Sequence, residues 1–252
     1  MKGKNKMKRL TFPKVIVILC LLGSLAAAIG AGYTYFKGKA DLDFDAELQQ
    51  QYASSESNEL LALDIDFAAL KARNPDTIGW IYLPGTIINY PVVQTDNNTT
   101  YLTQRFDGSA TAYGTIFADH RTDPHTSKNL ILYGHNQGQV NPVKFTLLYN
   151  YLTDPSFMSQ HPYFEYYDAE TGKGTVYDVF AVLRADITTQ INIDNYYQAV
   201  SDDNYEWYLT WLQSQTLVAS DVVVDPSKRS LILSTCTDDA HWQRVLVCCQ
   251  ER

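Results

Sequence analysis

The chain has 252 residues, 45% of them hydrophobic, and a formal net charge of −8. That length suits one domain of ordinary size beside an N-terminal tail, and the apolar fraction is ample for a packed core. The acidic balance excludes nucleic acid as the main partner, and the four cysteines, at 20, 236, 248 and 249, fit neither a zinc site nor a disulfide framework.

Lys2, Lys4, Lys6, Lys8, Arg9 and Lys14 crowd the first 14 residues, with no acid among them. Residues 15–32 then carry no charge, and those 18 residues sit at the lower limit for a bilayer-spanning helix. Tyr33, Tyr35 and Phe36 follow, where interfacial aromatic residues would lie. We read 1–14 as a cytoplasmic basic tail, 15–36 as a single-pass membrane anchor, and everything after it as extracellular. The rival reading is a cleaved signal peptide, because 26–31 offers small residues. Either places the soluble part outside the cytoplasm. Residues 37–65 are expected to form a polar stalk or N-terminal helix, and 66–252 the folded domain.

Leu60, Leu61, Leu63, Phe67 and Leu70 form an imperfect helical stripe that ends near Asn74-Pro75. From 78 the chain turns strand-rich. Residues 78–93 read as two runs of β-branched and aromatic residues around a Pro84-Gly85 turn. Further strands are expected at 114–118, 130–133, 163–167, 175–183, 230–235 and 244–249, with a hairpin turn at 171–174. Many short strands with few helices indicate a barrel or a sandwich. Two helices interrupt them. Asn141-Pro142 reads as a cap for a helix whose face is Val143, Leu147, Leu148, Tyr151 and Leu152. A longer helix starts at Asp202 or Asp203 and carries Tyr205, Tyr208, Leu209 and Leu212 at i, i+3, i+4, i+7, with Trp207 and Trp211 beside the stripe.

The stretch with the most chemistry is 231–247, LILSTCTDDAHWQRVLV. Two apolar runs joined by a polar loop read as paired strands, with Cys236 at the end of one and Arg244 at the start of the next. A nucleophilic thiol needs a partly exposed, electropositive setting, because the thiolate is the reactive form. Arg244 stays protonated and so can stabilise an oxyanion or orient a carbonyl but cannot act as a base; its structural alternative is an ion pair with Asp238 or Asp239. Two histidines compete for the base. His135 follows the run 130–133 and a glycine that lets the backbone turn, and His241 lies five residues after Cys236. His120, His125 and His161 read as surface residues. No spacing suggests a metal site, and no cofactor is expected. Strand alternation puts Arg244, Leu246 and Cys248 on one face and Val245, Val247 and Cys249 on the other. The adjacent cysteines are expected to be packing residues, one facing the core and one facing out.

Leu233-Ser234-Thr235-Cys236, then Arg244, with Tyr133-Gly134-His135-Asn136 upstream, resembles the sortases, membrane-anchored cysteine transpeptidases of Gram-positive bacteria. The resemblance covers roughly 66–249 and includes GWIYLPGTIINYPVVQ and GTIFADHR. Papain-like proteases place Cys before His, the opposite order. The N-terminal helical segment and the long helix near 203–215 are similar to class B members. Ile232 stands where the family motif usually opens with Thr, and loop 237–243 also departs from the family pattern. The resemblance implies a mainly β fold, an eight-stranded sortase-type barrel with N-terminal helices and a long helix inserted between late strands. It also implies roles. Cys236 attacks the carbonyl after the threonine of an NPQTN-like C-terminal sorting signal; His135 exchanges protons with the leaving and incoming amines; Arg244 holds the oxyanion. Ser234, Thr235 and Asp238 are then expected to contact substrate. The implied partners are surface proteins bearing the signal and, as amine acceptor, a lipid-linked peptidoglycan precursor. Two other readings are a class B-like pilin polymerase using a subunit lysine and a non-catalytic, membrane-tethered β-domain.

Overall fold

The computed structural model describes residues 12–55, 59–138, 142–186, 202–237 and 242–252. The chain divides into two units, Met1–Phe44 and Asp45–Arg252. Most of the first is a stretch of one long helix, α1 (Phe12–Tyr52), which continues without a break past residue 37. Among the described residues its segment Leu19–Tyr52 is the one helix long and apolar enough to cross a membrane by length and composition.

The second unit takes the last turns of α1 and adds a small ribbon, β1 (Ala53–Ser55) with β2 (Leu63–Ile65). The helical stripe expected over 60–70 is therefore split. The helix α2 (Phe67–Arg73) starts only after Asp66, whose carboxylate accepts a hydrogen bond from Ala69 N at 2.9 Å and caps it. Pairing with β1 holds the three residues before that cap extended. The expected end at Asn74 is found as the C-cap.

Eight strands then close a barrel: β3 (Thr77–Tyr82), β4 (Asn89–Val93), β5 (Ile116–Ala118), β6 (Asn129–Tyr133), β7 (Tyr163–Asp168), β8 (Gly174–Asp186), β9 (Ser230–Cys236) and β10 (Gln243–Glu251). Around the wall the order is β10-β8-β7-β3-β4-β5-β6-β9. Two pairs, β4–β5 and β6–β9, are parallel and the rest antiparallel. The hairpin turn between β7 and β8 is where the sequence places it, with Gly172 at φ 69°.

Side-chain alternation sorts the wall into two layers. Leu130, Leu132, Leu231, Leu233, Val245, Val247 and Cys249 point into the barrel. Ile131, Ile232, Leu246 and Cys248 point outward and are covered by Tyr205, Tyr208, Leu209 and Leu212 of the inserted helix α5 (Asp202–Ser214). Strands covered on both faces read as unbroken apolar runs rather than as alternation, which is why 231–233 is apolar at every position. The cover also corrects one expectation. Cys248 does face away from the interior, but it lies under α5, so both adjacent cysteines are buried.

The helix expected over 143–152 is not continuous. Asn141, its cap, lies outside the described residues. Lys144 adopts φ 49°, left-handed backbone that no α-helix continues through. After it come a 3₁₀ turn, Thr146–Tyr149, and two short helices, α3 (Asn150–Thr153) and α4 (Phe157–Gln160).

Candidate active site

β9 and β10 pair with Cys236 directly opposite Arg244. One rung beyond, Thr237 N donates to Gln243 O at 3.2 Å. Hydrogen-bonded and non-hydrogen-bonded pairs alternate along an antiparallel ladder, so Cys236–Arg244 is the non-hydrogen-bonded pair, the kind whose side chains stand closer. Both residues are on the outer face, past the end of the patch that α5 covers, and both are half-buried. Short of the site the outer face is dry core, and at the strand ends it opens to solvent.

The parallel strand β6 supplies the third group. Its register with β9 matches Tyr133 to Ser234, and Gly134 N continues the ladder by donating to Ser234 O at 3.2 Å. That brings His135 to the level of Cys236. Two side chains fasten the strand ends together there: Thr235 Oγ1 donates to Gly134 O at 2.7 Å, and Asn136 Nδ2 donates to Cys236 O at 2.9 Å. His135 Nε2 lies 2.7 Å from Leu102 O. A carbonyl only accepts, so Nε2 carries the proton and the neutral ring presents Nδ1 as its basic nitrogen. Arg244 Nη1 donates to the carbonyl of Gln243 at 3.0 Å, which ties the guanidinium to its own strand.

Together His135, Cys236 and Arg244 line one cavity of about 380 Å³, with Ser234, Thr235, Gly134, Tyr133, Phe117, Leu102 and Asn98. Phe117 of β5 pairs with Tyr133 of β6, and the two rings sit 5.3 Å apart as an aromatic floor. Tyr133 OH donates to Asp119 at 3.1 Å, Arg121 N and Nε reach the same carboxyl group at 2.9 and 3.1 Å, and Asn98 Nδ2 donates to it as well. Asp119 is fully buried, so this network fixes the groove wall. A roomier cleft of about 830 Å³ lies between α3–α4 and residues 217–222, but its lining contains neither cysteine nor histidine.

Of the residues expected from sequence, the structure thus unites His135, Cys236, Arg244, Ser234 and Thr235. Asp238, Asp239 and the rival base His241 lie outside the described residues. His120 and His125 are exposed, as expected; His125 bridges Asp168 and Glu170 at 3.0 and 2.9 Å. His161 is instead half-buried, its ring tilted against Phe157 with centroids 4.5 Å apart and Nδ1 3.1 Å from Pro84 O. Sequence reasoning missed Leu102, Asn98 and the Phe117–Tyr133 floor, and it gave Asn136 a place in the motif around His135 but no role. Outward alternation along β5 and β6 was an available signal for the two aromatics; the Leu102 carbonyl had none.

Glycines shape the site by their lack of bulk. Gly134 has no positive φ, so its role differs from the expected backbone turn; a Cβ there would meet Ile116 Cδ1 at 2.4 Å and the Phe145 ring at 2.7 Å. Gly114 combines φ 60° with a Cβ position 2.4 Å from Tyr101 O and 3.1 Å from His135 Cδ2. We expect Gly114→Ala to destabilise the fold by about 1–3 kcal/mol and to lower turnover by shifting the Tyr101–Leu102 segment off the imidazole. Urea unfolding and steady-state kinetics check this, and an unchanged kcat would refute it.

The thiols differ in kind. Burial pushes those of Cys248 and Cys249 well above the ordinary range, which leaves almost no thiolate. We therefore expect a methanethiosulfonate to modify Cys236 at least about tenfold faster than either. Peptide mapping by mass spectrometry reads the rates, and equal labelling would contradict the assignment.

A closed barrel with a half-exposed cysteine facing an arginine, and a carbonyl-bound histidine just past the end of the neighbouring strand, is an arrangement suited to cysteine acyl transfer. Comparison gives that chemistry its family. No family model matches the sequence. The chain is 32% identical over 236 residues to Sortase B of Staphylococcus aureus, covering 92% of each, and 31% identical to Sortase B of Listeria monocytogenes, over 69% of this chain and 68% of that one. The structure of sortase B from Bacillus anthracis superposes with a TM-score of 0.69 at 27% identity, over 86% of this chain and 98% of that one. The chain belongs to the sortase B family and is a cysteine transpeptidase.

Proposed function

We propose that this sortase cleaves a C-terminal sorting signal after threonine, holds the protein as a thioester on Cys236, and transfers it to an amine of a lipid-linked cell-wall precursor. One observation carries the reading: the facing of Cys236 and Arg244 at the level of His135. His135 Nδ1 takes the Cys236 thiol proton, and the resulting thiolate adds to the threonine carbonyl carbon, whose oxygen takes up the negative charge. The Arg244 guanidinium, a fixed cation beside the nucleophile, stabilises that oxyanion. Collapse breaks the C–N bond as His135 Nδ1–H gives its proton to the departing amine, which leaves the acyl group on sulfur. The incoming amine attacks the thioester, His135 Nδ1 takes its proton, and the Cys236 thiolate leaves. Ser234 and Thr235 border the groove and are assigned to the substrate peptide, with Asp238, two residues past the cysteine, as the third contact.

The anchor suits this chemistry. With residues 15–36 in the membrane, the basic tail before them in the cytoplasm and the barrel outside, the enzyme shares a surface with a tethered substrate protein and a lipid-linked acceptor, which raises the effective concentration of both.

Incubating the full chain in detergent with a panel of sorting-signal peptides, NPQTN-like sequences included, is expected to give an acyl-enzyme visible by intact mass. Adding either a cell-wall-type amine or a pilin lysine peptide identifies the acceptor. No adduct with any peptide would defeat the proposal, and turnover with the lysine peptide alone would replace the cell-wall acceptor by a pilin.

A further inference from the structure

Lys144 is a lysine where none is expected. It is buried, with 4% of its surface exposed, and it faces Asp45, exposed to 5%, in the last turns of α1. Its Nζ lies 2.6 and 2.7 Å from the two Asp45 oxygens and 4.7 Å from the centre of the Tyr90 ring. Its backbone holds φ 49°, and its N–H donates to Tyr90 OH at 3.2 Å. A charge removed from water persists only when well paired, and a left-handed non-glycine residue persists only when its surroundings hold it. Both unfavourable features meet in one residue.

What that residue supports is His135. The next residue, Phe145, donates its N–H to His135 O at 3.1 Å. Its ring, fully buried, packs against Gly134 so closely that a Cβ there would lie 2.7 Å from it. One residue further, Thr146 Oγ1 accepts from Gln137 N at 3.1 Å and from Val143 N at 3.3 Å. The backbone on both sides of His135 is therefore held by the corner 143–146, and that corner is pinned through the Lys144 ammonium to α1.

We propose that the Asp45–Lys144 ion pair is a strut through which the end of the N-terminal helix holds the backbone of His135, keeping the imidazole against the Leu102 carbonyl with Nδ1 turned to the reaction. Lys144 and Asp45 are positioning residues in this scheme, and it rests on the assignment of His135 as the proton-exchanging group.

The test uses the full chain in detergent. Lys144→Met is expected to lower kcat about tenfold or more while KM stays within about twofold, since the strut touches no substrate. In protein carrying ¹⁵N-labelled histidine, the distinct Nδ1 and Nε2 resonances of a fixed His135 tautomer should move toward their average. Lys144→Met takes the ammonium away from the buried Asp45 carboxylate and can fail to fold. The double variant Asp45→Asn/Lys144→Gly removes both charges of the pair and gives the corner the residue best suited to its φ, so it carries the same expectation. Wild-type kcat together with wild-type ring resonances in the folded double variant would overturn the strut. His135→Ala, assayed alongside, separates the two ideas: if it turns over normally the role of His135 is wrong, whereas an inactive His135→Ala beside a fully active double variant rejects the strut alone.

Discussion

Replacing Cys236 by alanine is expected to abolish transpeptidation, with kcat falling by roughly 10⁴-fold or more and no acyl-enzyme at any time by intact mass. The size follows from the covalent route. Without sulfur there is no thioester, and what is left is the orienting effect of the groove. Folding should survive, because Cys236 is half-exposed and its structural contact is a backbone carbonyl held by Asn136. Substrate peptide should still bind. His135→Ala is expected to fail at a neighbouring step, since the leaving amine must be protonated before the C–N bond breaks. Turnover by folded Cys236→Ala would remove this cysteine from the mechanism, whatever the fate of His135.

The second large effect is at Arg244. Arg244→Ala is expected to lower kcat by about 10²–10³-fold, the range found when one preorganised oxyanion donor is removed, with a small change in KM. A guanidinium is a rigid planar fork, already fastened by Nη1 to Gln243 O at 3.0 Å. A lysine there would bring a flexible ammonium that lacks the fork. Arg244→Lys should therefore recover only part of the loss although it keeps the charge. Full recovery would mean that charge alone matters, and a KM effect without a kcat effect would move Arg244 from the transition state to ground-state binding. Single-turnover measurements of thioester formation separate these outcomes.

The enzyme's thiols show how place decides chemistry. Cys236, Cys248 and Cys249 lie on two adjoining strands of one wall. Cys249 points into the barrel, Cys248 points out but beneath α5, and Cys236 lies at the strand end, past the patch that the helix covers. Alternation along β10 told the two faces apart in the sequence. It could not tell that the outer face would be dry, because that depends on α5, the helix that precedes β9 in the chain, folding back over it.

The same division runs through the whole molecule. By itself, the sequence determined the strands that carry the site, since apolar runs bounded by polar loops have few other ways to be buried. It also determined the stripe of α5, whose Tyr205, Tyr208, Leu209 and Leu212 all pack on the wall, and it set Cys236 and Arg244 apart as distinctive side chains at strand ends, whereas the choice of His135 over His241 came from the family resemblance. Tertiary structure alone decided the rest. His135 meets Leu102 O across 33 residues, and Lys144 meets Asp45 across 99. Backbone carbonyls leave no mark on composition, and the left-handed corner that interrupts the expected helix over 143–152 sits at a residue whose charge is paired in a distant helix. Local propensity is summed over neighbours in sequence, whereas burial, ion pairing and register are settled between segments that become neighbours only when the barrel closes.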